Sequence, residues 1–446
     1  FSSHFSPCSW HYIFAKLRGI RQQAAQNQPL ANGLPTGTVQ VGLDALNFFL
    51  SDVRDGLGPY LAVYLLAVHH WDQASTGLVL SIAGIAGLVA QTPGGALVDA
   101  LRAKRALIAV AAIMVAGVCL VIPLFPGFWP VAAAQVASGA ASAVFPPAIA
   151  AVTLGLFGHA AFTRRTGRNE AWNHAGNAFA AAAAGGLSLW YGPIAVFVLL
   201  GAMALASVVS VLMIPAGAID NDVARGLESG AARGEKASAW KALLGCRPLL
   251  VFAGCVALFH FANAAMLPLV GQKLAQQDLN RGTAMLSMCI VGAQIVMVPM
   301  AMLVGARADA WGRKRLFLVG FAVLALRGVL YTLSDDPWWL LAVQAMDGVG
   351  AGLFGALFPV IVADLTKGTG HFNVSLGAVA TAQGIGASVS NAAAGFVVVQ
   401  AGYDTAFLAL AGLATLGGLL FWWLMPETAA RTAAPAPAKL APVLAT

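Results

Sequence analysis

The chain has 446 residues, 59% of them hydrophobic and only 10% charged, with a mean hydropathy of +0.78 and a formal net charge of +7. An ordinary soluble domain carries roughly 25% charged residues, so a water-soluble globule is excluded, as are a disordered chain, collagen and a secreted disulfide scaffold. The apolar runs are continuous and rich in Ala, Leu, Val and Gly, which also excludes a transmembrane β-barrel, whose strands alternate apolar and polar residues.

Residues 1–40 are polar and mixed and lack the apolar core and small-residue cleavage site of a secretory signal. They read as a polar cytoplasmic tail or as a segment foreign to the native protein. Beyond them, windows of about 19 residues predict twelve membrane-spanning helices, over 42–68, 74–98, 103–124, 130–157, 170–190, 192–214, 248–272, 282–305, 314–334, 337–363, 373–400 and 402–425. The first six form an N-terminal bundle over 41–214 and the last six a C-terminal bundle over 248–426. Between them, 215–247 is a charged cytoplasmic loop holding Asp220, Asp222, Arg225, Glu228, Arg233, Glu235 and Lys236, and 427–446 is an Ala/Pro-rich tail. The expected fold class is all-α and polytopic, with two six-helix bundles. Cys8, Cys119, Cys246, Cys255 and Cys289 show no C-x-x-C spacing and read as reduced thiols; no metal site is expected.

Orientation follows from the 25 lysines and arginines. Arg54 and Arg327 lie inside spans, Lys273 and Arg281 in the connection after span seven, and the other 21 on the side that holds both tails. The positive-inside rule puts that side in the cytoplasm. The basic balance is therefore a topology signal, and no nucleic acid partner is implied. Trp71, Trp129, Trp190, Trp338 and Trp339 fall at the opposite ends of spans, where an interfacial aromatic belt belongs.

The chain also repeats itself. Gly95 and Asp99 match Gly305 and Asp309, Lys104 and Arg105 match Lys314 and Arg315, and Phe197 matches Phe407, all at an offset of 210; Phe145-Pro146 and Phe358-Pro359 match at 213. Six spans per half give both copies the same orientation, related by an axis along the membrane normal, as in secondary transporters with a central site.

The turns after spans two and eight read Gly95-Ala-Leu-Val-Asp99-Ala-Leu-Arg-Ala-Lys104-Arg105 and Gly305-Ala-Arg-Ala-Asp309-Ala-Trp-Gly312-Arg313-Lys314-Arg315. They resemble the G-x-L-x-D-R-x-G-R-K signature of the major facilitator superfamily. The second copy keeps Gly305, Asp309, Gly312, Arg313 and Lys314; the first has Arg102 where Gly is usual and Ala103 where Arg is usual. With the central loop, the repeat and the closing Met425-Pro-Glu-Thr, the resemblance covers about 40–426. It implies that these turns latch the cytoplasmic side shut, against the plainer reading in which Asp99 and Asp309 cap helices. Because the second copy is better preserved, replacing Asp309 or Gly312 is expected to impair transport more than changing Asp99 or Arg102. The Gly-Pro stretch of span five in proton-coupled drug antiporters is not matched by Ala171-Trp-Asn173-His174-Ala-Gly176-Asn177, and span four offers Gln135 and Ser138 instead of an Arg. The stretches from Asp347 to Gly352 and from Asp364 to Gly370 look like those of generic bacterial facilitators.

An ionisable group at the bilayer centre costs about 2.5–3.5 kcal/mol on insertion scales, so each one is a functional candidate. In span one, at about 100° per residue, Asp44, Asn47, Ser51, Asp52, Arg54 and Asp55 share one arc opposite Leu46, Leu50, Val53, Leu57 and Tyr60. Asp55 sits mid-arc, where Asp52 and Arg54 balance its proton affinity; it is the first candidate for proton coupling, with Asp52, Arg54 and Asp347 beside it. A static Asp–Arg bridge is the competing reading. Arg327 and Asp347 lie at similar depth and read as a structural ion pair, with Asp347 also open to substrate or proton. Glu170, Asn173, His174 and Asn177 line one face of span five. Asn47, Asn173, His174, Asn177, His260, Asn263, Gln294 and Gln383 are the candidate cavity residues; Gln135 and Asn391 are further lone polar residues, each equally readable as an interhelical hydrogen bond.

These readings converge on a secondary active transporter of a small organic solute, working by alternating access with proton coupling and no cofactor, as a monomer in a bacterial inner membrane. A non-transporting sensor or receptor on the same fold is the alternative. An intramembrane enzyme would need an H-E-x-x-H, G-x-S-x-G or Walker sequence, and none occurs where it could work.

Overall fold

The computed structural model describes residues 37–55, 57, 60–61, 64–65, 68–227, 245–277 and 279–429. Among them, the regular structure is helical, joined by turns and short irregular connections. Eight stretches are long and apolar enough to cross a membrane. Phe128–Ser188 and Phe372–Leu424, with 61 and 53 residues, would each measure about 80 Å or more as one helix, against a hydrocarbon core of about 30 Å. Each is broken by a glycine with positive φ, Gly158 (φ 66°) and Gly402 (φ 84°), a conformation that a Cβ disfavours. At Gly158 the chain doubles back. Asn169 Nδ2 donates to Thr153 Oγ1 at 2.8 Å, where one straight helix would hold them about 24 Å apart. Spans four and five therefore separate at Gly158, and eleven and twelve at Gly402. Span nine is the helix Arg313–Leu330. Span one is a helix from Gly37 to Asp55, and the rest of its expected length is only partly among the described residues.

The repeat reaches into the backbone. Gly158 and Gly368, and Gly192 and Gly402, all have positive φ and stand at the same 210-residue offset. Each half has its own apolar core. In the first, Leu43, Leu46, Leu50 and Val53 of span one pack on Ile108, Val115, Phe145 and Leu200. In the second, Phe252, Phe259, Phe317, Phe321, Phe354 and Phe421 form a connected stack.

Two seams join the halves, and glycines set both. On span two, a Cβ at Gly95 would fall 2.1 Å from the Asn373 carbonyl oxygen, and on span eleven a Cβ at Gly377 would fall 2.2 Å from that of Gln91. On the matching seam, a Cβ at Gly305 of span eight would fall 2.9 Å from the Arg164 oxygen, and one at Gly167 of span five 2.5 Å from that of Ala301. Gly95 and Gly305, Gly167 and Gly377, and Gln91 and Ala301 are all 210 apart. Small residues let backbones approach this closely. Thr92 and Thr381 add a hydroxyl–hydroxyl hydrogen bond of 3.0 Å across the first seam.

The sequence-based boundaries need two corrections. Span five starts right after Gly158 rather than at 170, so Arg164, Arg165 and Arg168 ride on its helix. The start of the central segment is docked rather than a free loop. Ile219, Val223 and Ala224 are buried, Asp220 N–H donates to the Gly155 carbonyl at 3.1 Å and Gly368 N–H to the Gly226 carbonyl at 2.6 Å. Residues 219–226 thereby strap both halves together at the end that carries the basic turns. Residues 228–244 of that segment lie outside the described residues, as do 1–36 and 430–446.

Candidate functional site

Span one brings its polar arc to the middle of the molecule because its apolar arc is buried in the first half's core. Asn47 Nδ2 donates to the Leu43 carbonyl at 2.7 Å and Ser51 Oγ to that of Phe48 at 2.8 Å. A Cβ at Gly176 of span five would fall 2.0 Å from the Phe48 oxygen, so spans one and five are held backbone to backbone beside this arc.

Two cavities share Arg54. The smaller, about 90 Å³, lies between the halves; Asn47, Arg54, Thr153, Asn169, Glu170 and Asn173 face Gly355, Pro359 and Leu376. Asn173 Nδ2 donates to Glu170 Oε2 at 3.2 Å. The larger, about 360 Å³, is a recess among spans one, two and four, where Arg54 meets Gln91, Gln135, Ser138 and Ser142 over walls of Gly84, Gly87 and Gly139. Asp52 lines neither cavity. The Asp55 side chain lies outside the described residues.

One turn before Asn47, buried Asp44 accepts from Arg165 Nη2 at 2.6 Å and from Arg168 Nε at 3.0 Å, with a second bond from Arg168 Nη2. Arg165 Nε also donates to Asn169 Oδ1 at 2.9 Å, and Asn169 reaches Thr153. This chain of bonds ties spans one, four and five beneath the cavity. Sequence reading placed the arginines in a loop. The signal was there in their spacing with Asn169, i, i+3 and i+4, which puts all three on one helix face.

The gating turns divide the work unequally. Asp99, buried at the end of span two, accepts from Asn373 Nδ2 at 2.8 Å, Val374 N–H at 2.9 Å and Asn373 N–H at 3.4 Å. The two backbone donors are free N–H groups at the start of span eleven, where the helix dipole favours a negative charge. Capping and latching are thus one interaction, because the helix that Asp99 caps belongs to the other half. Asp309 instead has 56% of its side chain exposed and takes a 3.0 Å bond from Arg313 in its own half. In the second copy it is Arg313 that crosses over, from Nη2 to Thr163 Oγ1 at 3.1 Å, while its Nε pairs with Asp364 at 2.9 Å. Gly312 (φ 90°) opens span nine, and Glu427 of the Met-Pro-Glu-Thr stretch accepts from Arg313 N–H at 2.9 Å and Lys314 N–H at 3.2 Å. The more degraded turn makes the stronger bonds between halves.

Arg327 pairs with Asp347, gives Nη2 to Asn263 Oδ1 at 2.6 Å, and is fully buried. Gln344 Nε2 donates to Asp347 Oδ2 at 3.3 Å, and Gln344 Oε1 accepts from the Tyr331 hydroxyl. Both charges suit their places, Arg327 in the last turn of its helix and Asp347 in the first turn of Asp347–Leu365. Asn263 and Asp347 are therefore engaged inside the second half rather than lining either cavity. His174 Nδ1 and Gln294 Oε1, both expected in the cavity, meet each other across the second seam at 2.8 Å. His260 bonds its own helix at the Val256 carbonyl, 3.2 Å away, and packs edge-on against Phe354. Asn177 and Gln383 are half-buried and line neither cavity. Of the expected cavity residues, Asn47 and Asn173 reach the space between the halves. Among the described residues no group of three or more His, Cys, Asp or Glu could hold a metal.

The sequence model described as Major Facilitator Superfamily matches residues 43–275 and again 252–445. A protein of Mycobacterium tuberculosis named as an uncharacterized MFS-type transporter is 58% identical over 86% of this chain and 93% of its own length. Among solved structures, the proton:xylose symporter XylE superposes with a TM-score of 0.66 at 12% identity, covering 88% of this chain and 95% of that one. FucP, a transporter in the outward conformation, gives 0.65 at 15% identity, covering 87% and 98%. At these identities the two structures speak for the fold.

Proposed function

The chain belongs to the major facilitator superfamily and is a membrane transporter; from that premise we propose that it moves a small organic solute by alternating access, driven by the proton gradient. The observation that carries this reading is the small cavity between the symmetry-related halves, lined by Arg54, Glu170 and five amide or hydroxyl residues. Most bonds between the halves gather on one side of it, at Asp99, Arg313 and the 219–226 strap, with Thr92–Thr381 and His174–Gln294 along the seams. Closure at that end with a polar chamber beyond it is one of the two end states that alternating access requires. We take the closed end, with both termini, to face the cytoplasm of a bacterial inner membrane, and the transporter to act as a monomer with no cofactor.

Proton coupling rests on the carboxylates of span one and on Glu170, and the likeness to a proton:xylose symporter supports it by fold. The test uses full-length protein in proteoliposomes with an internal pH dye and an imposed pH gradient, challenged with a broad solute library. Solute-dependent proton movement together with accumulation supports the proposal. Solute flux without proton movement removes the coupling, and no flux of any kind favours the sensor reading.

A further inference from the structure

We infer that Arg54 holds the carboxylate of the transported solute, and that this solute is a small organic monocarboxylate seated in the 360 Å³ recess; the inference rests on the transporter reading and deepens it. Arg54 is half-buried; the positive side chains that are buried in the described spans each have an acceptor: Arg165 has Asp44, Lys273 has Asp335 and Asp404, Arg313 has Asp309 and Asp364, Arg327 has Asp347, and Lys104 donates to the Leu101 carbonyl. Arg54 makes no ion pair or hydrogen bond with any described residue, although it lines both cavities. Glu170, which shares the smaller cavity, gives its Oε2 to Asn173 rather than to Arg54. Asp52 stands two residues before Arg54, and positions two apart on a helix do not face each other.

A guanidinium in a membrane interior is costly without a counter-charge, and its planar fork matches the two oxygens of a carboxylate. The rest of the lining limits the ligand further. Among the residues that line the recess, Arg54 is the one cation, which suits a single negative charge and leaves a dianionic phosphate ester half compensated. Gln91 Oε1 is buried without a partner, an acceptor for a hydroxyl or N–H on the solute. Leu57, Leu80 and Pro146 cover its carbon body. The Gln91 backbone also touches the seam, at the point where Gly377 packs, so a solute bound there bears on the contact that must open.

The test uses the full chain, in detergent for thermal shift and in proteoliposomes for flux read by mass spectrometry. It is presented with separate pools of monocarboxylates, dicarboxylates with phosphate esters, organic cations and neutral sugars, and with nitrate alone. Three variants accompany the wild type. Arg54→Gln removes the charge and strands none, and Arg54→Lys keeps the charge without the fork. Gly84→Leu grows into the recess from a glycine whose added Cβ meets no atom within 4 Å. The expected result is stabilisation by the monocarboxylate pool above all others. Arg54→Gln should weaken it about 10- to 100-fold, Arg54→Lys less, and Gly84→Leu should abolish it while melting like the wild type without ligand. Flux confined to neutral or cationic solutes, stabilisation by nitrate equal to that by carboxylates, or variants that bind as the wild type does would overturn the inference and leave the transporter reading standing. Carboxylate binding without flux would uphold the site and overturn transport. Neither binding nor flux from any pool overturns both.

Discussion

Asp99→Asn should release the closed end of the molecule, and Asp309→Asn should not. The Asp99 carboxylate receives three hydrogen bonds from the first N–H groups and side chain of span eleven, at 2.8–3.4 Å, in a buried setting. Hydrogen bonds to a charged group are worth about 1.5–3 kcal/mol, and the charge–dipole attraction at a helix N-terminus adds about 0.3–1 kcal/mol. The Asn isostere still accepts on one oxygen, so a loss of about 2 kcal/mol in favour of the open end is the working figure, a shift of about 30-fold in the equilibrium. At Asp309 the exposed bond to Arg313 is of the kind worth about 0.2–1 kcal/mol, and Arg313 keeps Asp364 and Thr163 when it is lost. Spin labels at Arg102 and Lys367, both exposed at the closing end on opposite halves, report the opening by pulsed electron resonance once the native cysteines are replaced. A long-distance population that grows strongly in Asp99→Asn and little in Asp309→Asn is expected. Equal growth in the two, or the reverse order, would refute the reasoning and return the weight to the better-preserved turn.

Three further outcomes are expected. Arg327→Ala or Asp347→Asn alone should lower melting temperature and yield by the about 3–5 kcal/mol that stranding a buried partner costs, and joint replacement by neutral residues should recover most of it in the same melts. Asp55→Asn should abolish accumulation driven by a pH gradient while leaving the melt unchanged; proteoliposomes that still concentrate solute at the wild-type rate and pH dependence would move the coupling role to Asp52. Protease or fluorescent tags at residue 30, within 225–235 and after 430 should report cytoplasm and one near residue 335 the outside, and an outside signal from the central segment would overturn the orientation.

Features that depend on a residue's place along one helix were legible in the sequence. Hydrophobic windows found most of the spans, and matched depth paired Arg327 with Asp347 because both lie on neighbouring helices of one half. Asp44 was seen as a polar member of span one, but its partners were hidden. Nothing local says that the helix of span five begins at Gly158, and the ladder from Asp44 through Arg165 and Asn169 to Thr153 exists only once that hairpin has folded. The ranking of the two turns by motif quality differs from the order of their bonds between the halves for a related reason. Motif quality counts residues within one turn, whereas the strength of the latch depends on what the other half presents: Asn373 and Val374 to Asp99, against Thr163 to Arg313. For the same reason His174 and Gln294, each a plausible solute contact on its own helix, turn out to face each other.

The glycine seams behave like plain bearings. Where one half packs against the other, backbone meets backbone at Gly95, Gly167, Gly305 and Gly377, so under the proposed alternating access few interlocked side chains would have to change rotamer before the surfaces part. On that proposal friction along the contact would be low, and the clasp at its end would set how long the machine dwells in each state. Evolution can then retime such a device by editing the clasp residues, leaving untouched both the bearing surfaces and the chamber that chooses the cargo.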